Sequence, residues 1–288
     1  MKVDYIIVGC GLAGISFAEI LKNNNKSFLV FDDQSQQSSI VAGGLYNPVT
    51  LKRFTPVWKS REQLDTAIPV YNKIESHLDV VLDYKVPVMR RFTSLEEQNN
   101  WFEASDKEGL IDYLSTTLVE NNNPNIDANF KLGEVLETGR LDTQKLIESY
   151  KTNLRSANLL IEETFDYKSI NFEDKKISYN NITAKQIVFA EGFGIKQNPF
   201  FKNLPLNGTK GQLLTIHAPD LKLDYILKSS VFVIPLGEDR YRVGSTYEQK
   251  DKTNTITQDA RQMLLNKLKT FIKCNFEVLN QVAGVRPT

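Results

Sequence analysis

The sequence has little cysteine, no excess of charge of either sign and no long apolar run. Its two cysteines, Cys10 and Cys274, are far apart and have no metal-ligand spacing, so we predict neither a disulfide framework nor a metal site. This cysteine usage is typical of a reducing, cytoplasmic setting. The 35 basic and 35 acidic side chains leave a net charge of zero, which gives no general attraction for nucleic acid.

Apolar stretches are all too short to cross a bilayer, and the first one ends by Val8. A signal peptide needs a longer apolar core, and a membrane-spanning helix needs about 20 apolar residues. We therefore expect a cytoplasmic enzyme with neither a membrane nor a nucleic acid as partner. The length of 288 residues suits one large domain or two ordinary ones.

The first thirty residues have the pattern of a β-α-β unit. Tyr5 to Val8 and Phe28 to Phe31 are short apolar runs, typical of buried parallel strands. Between them, Leu12 to Lys22 has the apolar spacing of a helix, and three asparagines follow it. The size and order match a βαβ unit that opens an α/β domain.

A glycine motif stands at the turn between that first strand and its helix. Gly9, Gly11 and Gly14 form a G-x-G-x-x-G pattern that includes Leu12 and Ala13. The first glycine permits the tight turn, the second lets the backbone approach a pyrophosphate, and the third lets the helix pack closely on the strand. The helix N-terminus then offers free N–H groups to the phosphates.

An acidic residue follows the second strand, where a ribose-binding carboxylate is expected. Asp32 comes directly after Phe31 and is favoured for this role, with Asp33 as the alternative. These features predict a dinucleotide site, but they do not separate FAD from NAD, because both cofactors use the same turn and the same acid.

Five further segments, spaced over the whole chain, together resemble the D-amino-acid oxidase and glycine oxidase family of flavoenzymes. The first is a loop of small residues, the second a strand that ends in Ala-Glu-Gly, and the others belong to strands of the second half. They are Ser38 to Gly44 with Asn47-Pro48, Ile187 to Gly192, Lys210 to Leu214, Val231 to Pro235 with Tyr241 to Thr246, and Ala283 to Thr288.

The resemblance implies that the cofactor is FAD and that it is bound non-covalently, since no cysteine stands near Arg286. It implies that the loop containing Ser39, Gly43 and Gly44 wraps the phosphate and ribityl chain. It also implies a backbone contact to adenine near Asp166. The strand end at Ala190, Glu191 and Gly192 is expected beside the FAD, although Glu191 replaces a small residue of the family pattern.

For the substrate, the resemblance implies that Arg286 holds a carboxylate, and a planar guanidinium is suited to grip one through two parallel hydrogen bonds. Phe232 takes the place of a tyrosine whose hydroxyl assists in glycine oxidase, so the grip on the substrate should differ here. The expected reaction is oxidation of the C–N bond of a small amine or amino acid by hydride transfer to the flavin, followed by hydrolysis of the imine. Oxygen or another acceptor then takes the electrons, and no side chain is predicted to be catalytic.

The implied fold is α/β, with a Rossmann-like FAD-binding domain of the glutathione reductase type and an α+β substrate domain built on an antiparallel sheet. We assign residues 1–83, 140–205 and 274–288 to the first domain, and residues 84–139 and 206–273 to the second. The family pattern continues beyond Arg-Pro-Thr, so we expect the chain to be truncated at its C-terminus relative to that pattern.

Three other functions stay open at this point. The first is a flavin oxidase of tRNA wobble-uridine modification, which shares this fold but needs a basic tRNA-facing surface. The second is an NAD-linked dehydrogenase. The third is an FAD-binding fragment without catalytic activity.

Overall fold

The computed structural model describes residues 1–288 and divides them among six α-helices, two short 3-10 helices and twenty strands. The helices are α1 Leu12–Asn23, α2 Ser38–Val41, α3 Ser60–Leu78, α4 Leu95–Ser105, α5 Thr143–Ser156 and α6 Gln258–Leu268; the 3-10 helices are Tyr167–Ser169 and Gly192–Gln197. The strands are β1 Tyr5–Val8, β2 Phe28–Phe31, β3 Leu45–Tyr46, β4 Val49–Thr50, β5 Thr55–Pro56, β6 Asp83–Tyr84, β7 Val88–Arg91, β8 Leu114–Val119, β9 Leu132–Val135, β10 Gly139–Leu141, β11 Leu160–Ile161, β12 Ile170–Glu173, β13 Lys176–Tyr179, β14 Ile182–Ala184, β15 Gln186–Phe189, β16 Gly208–His217, β17 Ile226–Lys228, β18 Phe232–Gly237, β19 Arg240–Gly244 and β20 Glu277–Pro287.

A four-stranded parallel sheet forms the first layer, in the order β11-β2-β1-β15. One face packs against α1, α3 and α5, and the other face packs against the antiparallel hairpin sheet β12-β13-β14. Both faces are covered, which explains why β1 and β2 are continuous apolar runs and not alternating ones. The predicted β-α-β unit is present with its predicted strand bounds.

An eight-stranded sheet forms the second layer, in the order β20-β16-β19-β18-β17-β7-β9-β8. All its pairings are antiparallel except that of β7 with β17. One core cluster joins this sheet to α6, and another joins it to α4 around the fully buried Trp101. The fold class is therefore as predicted: an α/β unit with a parallel sheet beside a unit with a mostly antiparallel sheet.

The last strand differs from the predicted division of the chain. We assigned residues 274–288 to the FAD-binding domain, but β20 pairs along its length with β16 in the eight-stranded sheet. An eleven-residue strand satisfies its backbone hydrogen bonds best beside another long strand, and the ten-residue β16 supplies one. The parallel sheet offers no strand of that length.

Pro69 predicts an interruption of the helix that the sequence indicates for Arg61 to Leu82, but α3 continues through this proline. A proline inside a helix removes one N–H and frees the carbonyl four residues earlier. That carbonyl belongs to Asp65, an exposed residue, so water can satisfy it. The sequence predicts helix caps at Ser94, three residues before Glu97, and at Asp142. Both caps are confirmed, since the side chains accept the N–H groups of Glu97 and Lys145.

We expect Ser94→Ala to lower the free energy of unfolding by about 1 kcal/mol, because the N–H of Glu97 loses its acceptor at the start of α4. Urea denaturation followed by circular dichroism measures this change. Ser76→Ala is the matched control, since the Ser76 hydroxyl is exposed and bonds a carbonyl within α3. Equal destabilisation by both substitutions would contradict the capping role.

Candidate functional site

A cavity of about 500 Å³ opens at the carboxyl ends of β1, β2 and β15. This is the edge at which open α/β sheets bind ligands, because loops diverge there and the following helix points its N-terminus at the space. The walls contain most of the predicted site residues, from five separate parts of the chain. These are Gly9, Gly11, Leu12, Ala13, Asp32, Asp33, Ser39, Ala190, Glu191, Gly192 and Arg286.

Close packing at the turn between β1 and α1 requires two of the glycines. Gly9 has φ of +102°, and a Cβ atom there would overlap the carbonyl oxygen of Ala190. At Gly14 a Cβ atom would overlap the carbonyl oxygen of Gly9, so the helix could not lie as close to the strand. Gly14 does not line the cavity itself, and its contribution is this close approach.

The N-terminus of α1 faces the cavity without a side-chain cap. Gly11 is the N-cap residue and has no side chain to accept an N–H group. The Ser39 hydroxyl lies 3.4 Å from the N–H of Leu12, and a Cβ at Gly11 would lie 3.1 Å from that hydroxyl oxygen. Uncapped N–H groups at a positive helix end, with a hydroxyl beside them, form a suitable cradle for a pyrophosphate.

The two candidate ribose-binding acids are both in the wall and both already hold partners. The Asp32 carboxylate is ion-paired with Lys151 of α5 and accepts the N–H of Cys10 at 3.3 Å. Asp33 accepts hydrogen bonds from the Ser35 N–H and the Thr164 hydroxyl at 3.0 and 3.1 Å. Burial raises the pKa of Asp33, but these hydrogen bonds outweigh it and leave the pKa below its usual value. Each carboxylate keeps lone pairs for a ribose hydroxyl.

Glu191, which departs from the family pattern, is buried within a small polar network. Its carboxylate is hydrogen-bonded to the Tyr167 hydroxyl and accepts the Asn198 amide at 2.8 Å. Burial, followed by the contact with Glu191, raises the pKa of Tyr167. The larger side chain is therefore accommodated by specific partners that the sequence pattern did not reveal.

Arg286 lies in the wall with an unneutralised charge. One of its terminal nitrogens, Nη2, donates to the Ser245 hydroxyl at 2.6 Å, and the guanidinium lies 4.6 Å from the centroid of the Tyr247 ring. The other, Nη1, is buried and has no hydrogen-bond partner. Gly211 makes this position possible, since a Cβ atom there would overlap the guanidinium. A half-buried guanidinium with one buried, unpaired nitrogen and no carboxylate partner is suited to receive an anionic ligand.

The remaining predicted residues lie outside this cavity. Phe232 is half-buried on β18, opposite Gly244, with the Lys228 amine 4.5 Å from its ring centroid. Gly43 contacts Ile234, and Gly44, with φ of +71°, lies against the carbonyl oxygen of Leu141. Their roles toward a ligand stay predictions.

Asp166 is turned toward its own backbone and caps the 3-10 helix that follows it. The cavity wall is instead formed by residues around it. Thr164, Phe165 and Tyr167 line the cavity, as do Gln36, Ser38 and Gln197. Thr164 and Phe165 belong to the same predicted adenine-contacting segment and Ser38 to the predicted loop, whereas Tyr167, Gln36 and Gln197 were not predicted.

Comparison with known proteins decides the family. The family model described as "DAO: FAD dependent oxidoreductase" matches residues 4–288. The chain belongs to this family. FAD is therefore the cofactor, as predicted, and the chain is an FAD-dependent oxidoreductase of the DAO family.

Solved structures show the same fold at low sequence identity. Glycine oxidase from Geobacillus kaustophilus superposes with a TM-score of 0.82 at 16% identity, covering 100% of this chain and 83% of that one. Iminodiacetate oxidase from Chelativorans sp. BNC1 gives 0.79 at 14% identity, covering 99% and 83%. L-proline dehydrogenase from P. horikoshii gives 0.77 at 13% identity, covering 99% and 81%.

A match to part of the chain is found among curated proteins. It is the tRNA 5-methylaminomethyl-2-thiouridine biosynthesis bifunctional protein MnmC of Legionella pneumophila (strain Corby), 27% identical over 124 residues. The match covers 41% of this chain and spans about a fifth of that relative, 19% of its length.

None of the helices of this chain has the length and apolar character of a membrane-spanning helix.

We expect Gly14→Ala to weaken FAD binding at least about tenfold, because the added methyl group pushes α1 away from the turn at Gly9. Equilibrium dialysis read at the flavin absorption band measures the affinity. Gly109→Ala is the matched control: its φ of +78° also resists alanine, but it lies in a turn away from the cavity. Unchanged FAD affinity in the Gly14 variant would contradict the close-packing account.

Proposed function

We propose that this DAO-family protein oxidises the C–N bond of a small amino acid or amine. The observation that supports this most directly is the Arg286 guanidinium, which lies in the cavity wall with no carboxylate partner and one buried, unpaired Nη1. A substrate carboxylate supplies the missing negative charge and accepts two parallel hydrogen bonds. The glycine oxidase, iminodiacetate oxidase and proline dehydrogenase folds are consistent with substrates of this chemical class.

FAD, when bound, supplies the redox chemistry as a hydride acceptor. The chain's own residues bind and orient the reactants. Gly11, Ser39 and the start of α1 would hold the pyrophosphate, Asp32 or Asp33 the ribose, and Arg286 the substrate carboxylate. No side chain of the cavity is assigned as an acid or base, so positioning is the main contribution of the protein.

Phe232 gives the substrate grip an apolar element. Its ring has no hydroxyl to share the carboxylate with Arg286, so the carboxylate depends on the arginine alone. The nearby Lys228 amine is largely buried, and this burial, with the positive charges of Arg90 and Lys267, lowers the pKa of Lys228 to about 8. Near neutral pH this amine is charged and adds to the positive potential over this part of the sheet.

We expect FAD-loaded protein, mixed anaerobically with a panel of amino acids and amines, to lose its flavin absorption with members of this class. Arg286→Gln should raise the amino-acid concentration for half-bleaching at least about tenfold, because a charged hydrogen bond is lost. The same variant should leave bleaching by amines that lack a carboxylate unchanged. Arg61→Gln is the control, since Arg61 is exposed and paired with Glu137.

Two results would contradict the proposal. The first is an absence of bleaching by every amine and amino acid in the panel. The second is that Arg286→Gln weakens flavin bleaching equally for amino acids and for amines that lack a carboxylate. That result would indicate a structural effect of the substitution and not the loss of a carboxylate anchor.

A second function is favoured by the partial match to MnmC. A flavin oxidase of wobble-uridine modification also oxidises an amine, so the same cavity could act on a modified base. Reduction of the flavin by undermodified tRNA, together with no reduction by glycine or sarcosine, would establish this function. The opposite pattern would establish the small-molecule substrate.

A further inference from the structure

A second cavity, of about 370 Å³, lies between the two layers. The loop after α2 and the N-terminus of α5 form one wall, and residues of β16, β18, β19 and β20 form the other. It lies across the α2 loop from the strand-end cavity, and the two share Ala42 in their walls. Gly43, which the family resemblance places beside the ribityl chain of FAD, also lines it, but the proposed oxidation uses none of its arginines.

Three arginines converge on this second cavity. Arg140 is buried and pairs with Asp142 at 2.9 Å, while Arg240 pairs with Glu238 at 2.7 Å. Arg242 has no ion pair, and its buried Nε has no hydrogen-bond partner. Asp142 is the single acidic residue of the wall, and Glu238 outside the wall neutralises Arg240, so the three guanidinium groups leave one net positive charge, on Arg242.

The electrostatics of Arg242 are unfavourable without a ligand. Burial, together with the positive charge of Arg140, lowers the pKa of Arg242, and Asp142 offsets this in part. One carboxylate therefore serves two neighbouring guanidinium groups. A buried, charged donor without an acceptor is costly, and an anion between the arginines would remove that cost.

The start of α5 adds a further attraction for anions. Thr143 and Gln144 belong to its first turn and line the cavity. The positive end of a fourteen-residue helix stabilises negative charge within about one turn. Neutral polar side chains, Thr215 and Asn280, complete the opposite wall.

We propose that this second cavity binds a compact dianionic oxyanion, the phosphate group of a small molecule. Three guanidinium groups meet at this cavity and one of them has no carboxylate partner, and arginine forks with a helix N-terminus are a common phosphate-binding combination. The volume exceeds that of phosphate alone, which leaves room for an attached organic group. The site is distinct from the pyrophosphate cradle at Gly11 and from the Arg286 anchor.

The test is calorimetric titration of FAD-loaded protein with inorganic phosphate, at constant ionic strength in chloride. Loading with FAD fills the pyrophosphate cradle, so the heat released on adding phosphate reports binding at the second cavity. Arg242→Gln should weaken binding at least about tenfold, since it removes a charged hydrogen bond. Arg240→Gln, at a more exposed position, serves as a second variant should Arg242→Gln fail to fold, and we expect it to weaken binding about threefold.

Three controls make the test specific. Arg61→Gln changes the net charge equally at an exposed site and should bind phosphate as the wild type does. Arg286→Gln should also bind it normally, which separates this proposal from the proposed oxidation. Malonate, a dicarboxylate of similar charge, should bind at least about tenfold more weakly, because it fits the helix N-terminus less well.

The proposal is overturned if phosphate gives no saturable heat with the wild type. It is also overturned if both Arg242→Gln and Arg240→Gln bind phosphate normally, or if Arg286→Gln alone abolishes the heat. Tighter binding of malonate than of phosphate would overturn the phosphate assignment.

Discussion

The close approach of α1 to β1 is the constraint on which the candidate site depends. The backbone of Gly9 touches Ala190 at the end of β15, and Gly14 brings the first turn of the helix against Gly9. Any side chain at these two positions would separate three elements at once. The cavity at the strand ends, the uncapped helix N-terminus and the position of Ser39 all follow from this packing.

Local sequence signals predicted the elements whose structure is decided locally. The β1-α1-β2 unit and the caps at Ser94 and Asp142 were predicted, because each depends on residues that are near in sequence. The family resemblance added the FAD assignment. Neither the local patterns nor the family resemblance predicted which sheet contains β20, because its partner β16 is about seventy residues away.

The two cavities also differ in how far local sequence patterns predict them. The walls of the strand-end cavity come largely from short motifs, so the sequence nominated many of them. The second cavity brings together Arg140, Arg240 and Arg242, and nothing in the spacing of residues 140 and 240 predicts that they meet. The ion pair of Asp32 with Lys151 and the network around Glu191 were missed for the same reason. Long-range contacts of single charged side chains leave no periodic pattern in a sequence.

We propose that the packed glycine turn holds the adenosine half of FAD. The most direct measurement compares the dissociation constants of FAD and FMN by equilibrium dialysis, because FMN has the flavin but lacks the adenosine half and the pyrophosphate. FAD should bind at least about a hundredfold more tightly than FMN, because FMN lacks the adenosine and one of the two phosphates, which leaves the ribose-binding acids and part of the helix N-terminus without a ligand group. Equal affinity for FAD and FMN would contradict it.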